Sequence, residues 1–79
     1  MIDRKYGRVT LEKRPDASGD EPCFVLRGQD LLAPIAVRYY ADLVEAALPL
    51  GGKNAAESIR DCADQMAAWK VVKKLPDGR

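Results

Sequence analysis

Pro34-Ile35-Ala36-Val37-Arg38-Tyr39-Tyr40-Ala41-Asp42-Leu43-Val44-Glu45-Ala46-Ala47-Leu48, followed at once by Pro49-Leu50-Gly51-Gly52, is the stretch on which the fold turns. Pro34 suits the first helical position, where its missing N–H removes nothing. From there the apolar residues recur at helical spacing. Ala36, Tyr40, Leu43, Val44 and Ala47 form the expected inner stripe, with Arg38, Asp42 and Glu45 on the opposite face. The Pro-Leu-Gly-Gly run stops this helix and turns the chain. Asn54-Ala55-Ala56-Glu57 then reads as a capping box with Asn as the cap. It predicts a second helix over 55–69, with Ala55, Ile59, Cys62, Ala63 and Met66 inward and Trp69 completing the stripe. Two helices joined by so short a turn pack antiparallel.

Working outward, Tyr6 to Lys13 alternates, with Val9 and Leu11 on one side and Arg8, Thr10 and Glu12 on the other. That is the pattern of a half-buried strand. Arg14 to Pro22 carries two prolines, a glycine and three acids and reads as a loop. Cys23-Phe24-Val25-Leu26 predicts a second strand, antiparallel to the first. Lys70 to Leu75 fits either a helical extension or a third strand through Val71 and Val72, and Pro76-Asp77-Gly78 reads as a turn. The expected fold is α+β, ββαα with a possible last β: a small antiparallel sheet packed against a two-helix hairpin.

At 79 residues the chain is one domain, 1–79. A chain of this size buries only about 60–65% of its unfolded surface. Apolar residues make up 47% and charged residues 32%, which argues against a disordered chain. The longest weakly charged run, Leu31 to Val37, is too short to span a bilayer. Met1-Ile2-Asp3-Arg4-Lys5 lacks the apolar run of a secretory signal, so a cytoplasmic location is expected. Cys23 and Cys62 read as reduced, buried small hydrophobes, with a single bridge as the alternative in an exported protein.

Much chemistry is missing. There is no histidine, the commonest general base and metal ligand. Two cysteines 39 residues apart do not make a zinc site. Nucleophilic catalysis by Ser18, Ser58, Thr10 or a cysteine would have to rely on carboxylates, lysines or tyrosines as base. Gly51-Gly52-Lys53-Asn54 lacks the upstream glycine of a phosphate loop (Ala47 stands there) and the Ser or Thr after the lysine. Asp42 with Glu45 and Asp61 with Asp64 are expected on solvated helix faces, which gives no reason for shifted pKa values. The expectation is a non-enzyme with no cofactor, no metal and no small-molecule substrate.

Net charge is +1, but it is segregated. Residues 1–14 carry +3, residues 15–30 carry −3, residues 31–68 carry −2 and residues 69–79 carry +3. Two patches follow. Glu57, Asp61 and Asp64 share one side of the second helix, supported by Asp42 and Glu45, and Arg60 is expected to relieve Glu57 and Asp64. Such a row of carboxylates can imitate a phosphate track. It also argues against a helix-turn-helix reading, in which the second helix would meet phosphates. The other patch is Lys70, Lys73, Lys74 and Arg79, where the lysines share a face if 70–74 are helical. It offers either helix capping or weak, salt-sensitive contact with nucleic acid. Among the aromatics, Tyr40 and Trp69 are expected in the core and Tyr39 at a rim.

Glu21-Pro22-Cys23-Phe24-Val25-Leu26-Arg27-Gly28-Gln29-Asp30-Leu31-Leu32-Ala33-Pro34 and Ala63-Asp64-Gln65-Met66-Ala67-Ala68-Trp69 resemble a group of short, uncharacterised proteins, many encoded by phages or prophages. The resemblance covers roughly residues 21–77 and carries no catalytic or binding residues with it. A phage-type origin implies a small inhibitor that blocks a host defence or nucleic-acid machine by protein contact, as anti-CRISPR proteins do. The alternatives are a nucleic-acid-binding regulator using its basic ends, and an oligomeric structural or assembly protein.

Overall fold

A computed structural model describes residues 1–17, 19–71 and 73–75. Its elements are β1 (Ile2–Asp3), β2 (Gly7–Arg8), β3 (Pro22–Cys23), α1 (Ala33–Ala47) and α2 (Gly52–Ala68). The fold is α+β: a small mixed sheet and a helical hairpin.

The hairpin dominates, and it packs differently from the sequence expectation. Beyond Ala33, buried at its start, the buried and half-buried positions of α1 are Pro34, Val37, Ala41 and Val44; those of α2 include Gly52, Ala56, Ile59, Ala63 and Met66, with Ala55 and Arg60 half-buried beside them. The runs Pro34-Val37-Ala41-Val44 and Gly52-Ala56-Ile59-Ala63-Met66 follow an alternating three-and-four spacing, which makes a narrow helix–helix seam. The expected inner stripe of α1 is therefore corrected. Ala36, Tyr40, Leu43 and Ala47 face solvent, Tyr40 at 59% and Leu43 at 50% exposure, and only Val44 of that stripe is partly covered. The reason is size. α2 offers glycine and alanine to its neighbour, and Ala41 can approach such a surface while a tyrosine cannot. In α2, Ala55, Ile59, Ala63 and Met66 keep their inward places, but Cys62 is exposed and Cys23 half-buried, and both are free.

The turn explains the new register. α2 begins at Gly52, three residues earlier than expected, with Gly51 as its cap in the left-handed region at φ 79°. No side chain caps the helix, so the Asn54 capping box does not form; the Ala55 N–H donates to the Gly51 carbonyl at 3.0 Å instead. A β-carbon on Gly52 would lie 3.1 Å from the Glu45 carbonyl oxygen and 3.2 Å from that of Val44. Glycine lets the two backbones meet there, and the extra turn of α2 brings Gly52 and Ala56 onto the seam.

The strands are shorter than expected and ordered differently. β1 was not anticipated, the Tyr6–Lys13 strand shrinks to Gly7–Arg8, and Cys23–Leu26 shrinks to Pro22–Cys23. β1 is central in the order β2-β1-β3, antiparallel to β2 and parallel to β3. Asp3 accounts for the short ladders. Its side chain is 1% exposed, and Oδ1 accepts the N–H groups of Lys5 and Tyr6, both at 2.8 Å. This Asx-type turn folds the chain back after two strand residues. Val25, expected in a ladder, donates its N–H to Asp3 Oδ2 at 2.6 Å.

None of the strands approaches a helix closely along the backbone. The sheet therefore does not lie flat against the hairpin; the segment 24–32 joins them. The chain after α2 docks on this segment. Leu31 N–H donates to the Lys74 carbonyl, Lys74 N–H donates to the Gln29 carbonyl, both at 2.9 Å, and Asp30 and Lys74 form a parallel bridge. Residues 69–71 and 73–75 are thus neither helix nor a regular strand; Val72 and the Pro76-Asp77-Gly78 turn lie outside the described residues. Trp69 is not a lid on the helical core. It ends α2, is 53% exposed, and lies where a β-carbon on Gly28 would meet its Cβ and Cγ at 3.3 Å.

Among the described residues the fully buried apolar side chains are Ala33, Ala41, Ala56 and Ala63. Each buried methyl contributes about 0.8 kcal/mol. The radius of gyration is 13.9 Å, where a compact chain of this length has about 12 Å. A flat molecule with an alanine core leaves many of its large apolar side chains exposed and others, Val37, Val44, Ile59 and Met66 among them, only half-buried.

Candidate interaction surfaces

The charges expected on the outer face of α1 instead line one edge of the seam. Arg60 of α2 donates to Asp42 Oδ1 at 2.7 Å and to Glu45 Oε2 at 3.3 Å. Arg38 of α1 donates to Asp64 Oδ1 at 3.0 Å. The crossed pairs form an ionic ladder between the helices. The two acceptors, Asp42 first and Glu45 second, raise the Arg60 pKa above its ordinary value, so the guanidinium stays charged.

This ladder redistributes the expected acidic patch. Asp42, Glu45 and Asp64 are brought together, but each is matched by an arginine. Arg60 does not relieve Glu57, because it reaches across to α1 rather than along its own helix. Glu57 and Asp61 stay exposed on the outer side of α2 with no ion-pair partner among the described residues; Asp61 accepts one hydrogen bond, from Gln65 at 3.0 Å.

The basic patch is also divided. α2 ends at Ala68, so Lys70, Lys73 and Lys74 share no helical face. Lys70 and Lys74 are exposed, while Lys73 is half-buried. Its Nζ donates to the Met66 carbonyl at 2.6 Å and the Gly28 carbonyl at 2.8 Å. It satisfies a carbonyl in the last turn of α2 and ties that helix to the 27–31 segment. Arg79, like the candidate nucleophile Ser18, lies outside the described residues.

The outer half of α1 is the surface that sequence reasoning missed. Ile35, Ala36, Tyr39, Tyr40, Leu43, Ala46 and Ala47 are all exposed, Ile35 at 65% and Tyr39 at 66%. At 100° per residue they cover an uncharged arc of about 140°. A helix apolar nearly all round belongs inside something. The signal was present: both flanks of α1 are apolar, and periodicity alone cannot say which one meets α2. α2 shows the ordinary contrast, with Asn54, Glu57, Ser58, Asp61 and Gln65 outward.

A groove of about 380 Å³ runs between the Arg27-Gly28-Gln29 segment and α2, lined also by Cys62, Gln65, Met66 and Trp69. Its polar groups are a guanidinium, amides and one thiol. Arg27 also lies 5.6 Å from the Tyr6 ring centroid, which places it between hairpin turn and groove. Among the described residues no three of His, Cys, Asp or Glu gather to hold a metal, and no helix is long and apolar enough to cross a membrane.

No family model, curated protein or solved structure matches this chain.

Proposed function

We propose that the chain works by stoichiometric protein–protein contact, without catalysis, and that the uncharged outer face of α1 makes that contact. One observation supports this above the others. Arg38, Asp42 and Glu45, the charges of α1, are spent on the ladder to α2, and Ile35, Tyr39, Tyr40 and Leu43 are left to solvent. Exposed tyrosines beside aliphatic residues are the usual composition of a contact core.

The test uses a fluorescent hydrophobic dye and purified protein. In dilute protein, where the single chain leaves the α1 face open, Tyr39→Glu and Leu43→Glu should each abolish dye binding while far-UV circular dichroism keeps its helical signal. A wild-type chain that binds no dye in any oligomeric state, and is left unchanged by both substitutions, sinks the reading.

A narrower proposal is that the chain blocks a host defence or nucleic-acid machine, for example a CRISPR-Cas effector, in the cytoplasm of a host cell, through the acidic outer side of α2. Its support is the resemblance over residues 21–77 and the pair Glu57 and Asp61, which the turn of Arg60 toward α1 leaves without an ion-pair partner among the described residues. Reversing both acids to lysine should then abolish inhibition of such a machine; unchanged inhibition rejects the acidic contact. The nucleic-acid alternative has less support, because Lys73 is engaged by two carbonyls.

A further inference from the structure

Resting on the α1 reading above, we propose that the occupant of this face is a second copy of the chain, so that two protomers pack α1 against α1 about a twofold axis.

The area fits. The chain exposes 6123 Å². A compact monomer of 8.7 kDa exposes about 4,700 Å². The surplus of about 1,400 Å² belongs to the whole chain and is shared between the outer face of α1 and side chains elsewhere such as Phe24 and Leu50; it exceeds the roughly 800 Å² that each partner gives to a stable interface. The surplus comes with an unfinished interior, since the seam buries alanines and leaves the tyrosines of the same helix outside. An interface of that kind resembles a core cut in half, which is the mark of obligate association.

The charge pattern selects a second copy over a foreign partner. A twofold interface sets a patch against itself, so any net charge near the axis meets its like. The arc from Ile35 through Tyr39 and Leu43 to Ala46 holds no charge. It can face its own copy without repulsion, and it offers a charged partner nothing to pair with. Its centre lies between Tyr39 and Leu43, near the middle of α1, where an axis would bring the same side chains of both copies together. A chain whose core is completed only by association also needs its partner present as it folds, and its own copy always is.

Sedimentation equilibrium of the purified full chain across a wide concentration range tests this. The expected result is a species of twice the 8.7 kDa chain mass that falls to single-chain mass in Tyr39→Glu. If Tyr39→Glu does not fold, the wild-type melting temperature decides: a rise with protein concentration supports the dimer, and a constant value overturns it. A Tyr39→Glu chain that stays dimeric also overturns the proposal, because the interface is then elsewhere. A monomeric wild type overturns it too. In that case a dye signal lost in Tyr39→Glu keeps α1 as a binding face for another protein, and the lack of any dye signal rejects both readings.

Discussion

The carboxylate of Asp3 accepts the N–H of Val25, twenty-two residues away, at 2.6 Å, and on its other oxygen closes the turn to Lys5 and Tyr6. One buried side chain thus sets the β1–β2 turn and holds the β3 segment beside it. Hydrogen bonds to a charged acceptor are worth more than neutral ones, and stranding buried donors adds to the loss. Asp3→Ala should lower stability by about 3 kcal/mol in urea denaturation. Asp3→Asn, which keeps the shape but turns an N–H₂ toward backbone donors, should recover only part of it. A loss within error for both would mean that Asp3 does not hold the sheet.

The ladder between the helices predicts a salt effect rather than a pH effect from the arginine side. The pKa of Arg60 is raised, so its folded-state contribution is fully present below its ordinary value and is lost only as pH rises through the raised one. That lies beyond any working pH. Screening is the accessible lever. Arg60→Met should lower the melting temperature modestly in low salt and by much less in high salt. An equal drop in both would assign the effect to packing of the Arg60 stem instead of its charge.

Much of this was legible in the residues, and the misses have physical causes. The ends of α1 were readable to within a residue because Pro34 and the Pro49–Gly52 run act locally. The choice of buried flank on α1 was not, because Tyr40 and Leu43 are more hydrophobic than Ala41 and only the small residues of α2 make Ala41 the better fit. β1 was missed because two residues carry no periodicity. The Asn54 box failed because Gly51, free to take a positive φ, starts the helix earlier. The acids and lysines were found by spacing, but pairing across the seam and the end of α2 at Ala68 decide which of them keep a free charge.

Gly52 predicts the cost of crowding the seam. A β-carbon there meets two backbone carbonyl oxygens at 3.1 and 3.2 Å and Leu48 Cβ at 3.1 Å. Carbonyls in a helix cannot swing aside as a side-chain tip can. Gly52→Ala should therefore destabilise by about 1–3 kcal/mol, as overpacking does, although alanine is the better helix former. A stabilised Gly52→Ala would show that the helices can separate freely at the turn.

Lys73 supplies the last prediction, and its outcome bears on function. Its ammonium bridges the Met66 and Gly28 carbonyls, which presses the segment after α2 against the loop where Trp69 meets Gly28. Lys73→Met keeps the aliphatic stem and removes the donors. The loss should be about 1–2 kcal/mol. Trp69 is the single tryptophan, so its emission reports this contact alone and should shift to the red as the ring gains water. Lys70→Met removes the same charge from the same stretch without touching either carbonyl, and should leave emission and stability unchanged. If the two variants behave alike in emission and stability, Lys73 is a surface charge like its neighbours, and the three lysines regain their standing as a nucleic-acid patch. If only Lys73→Met shifts the emission, the lysine is a structural tie and the basic end of the chain has one fewer charge to offer a phosphate.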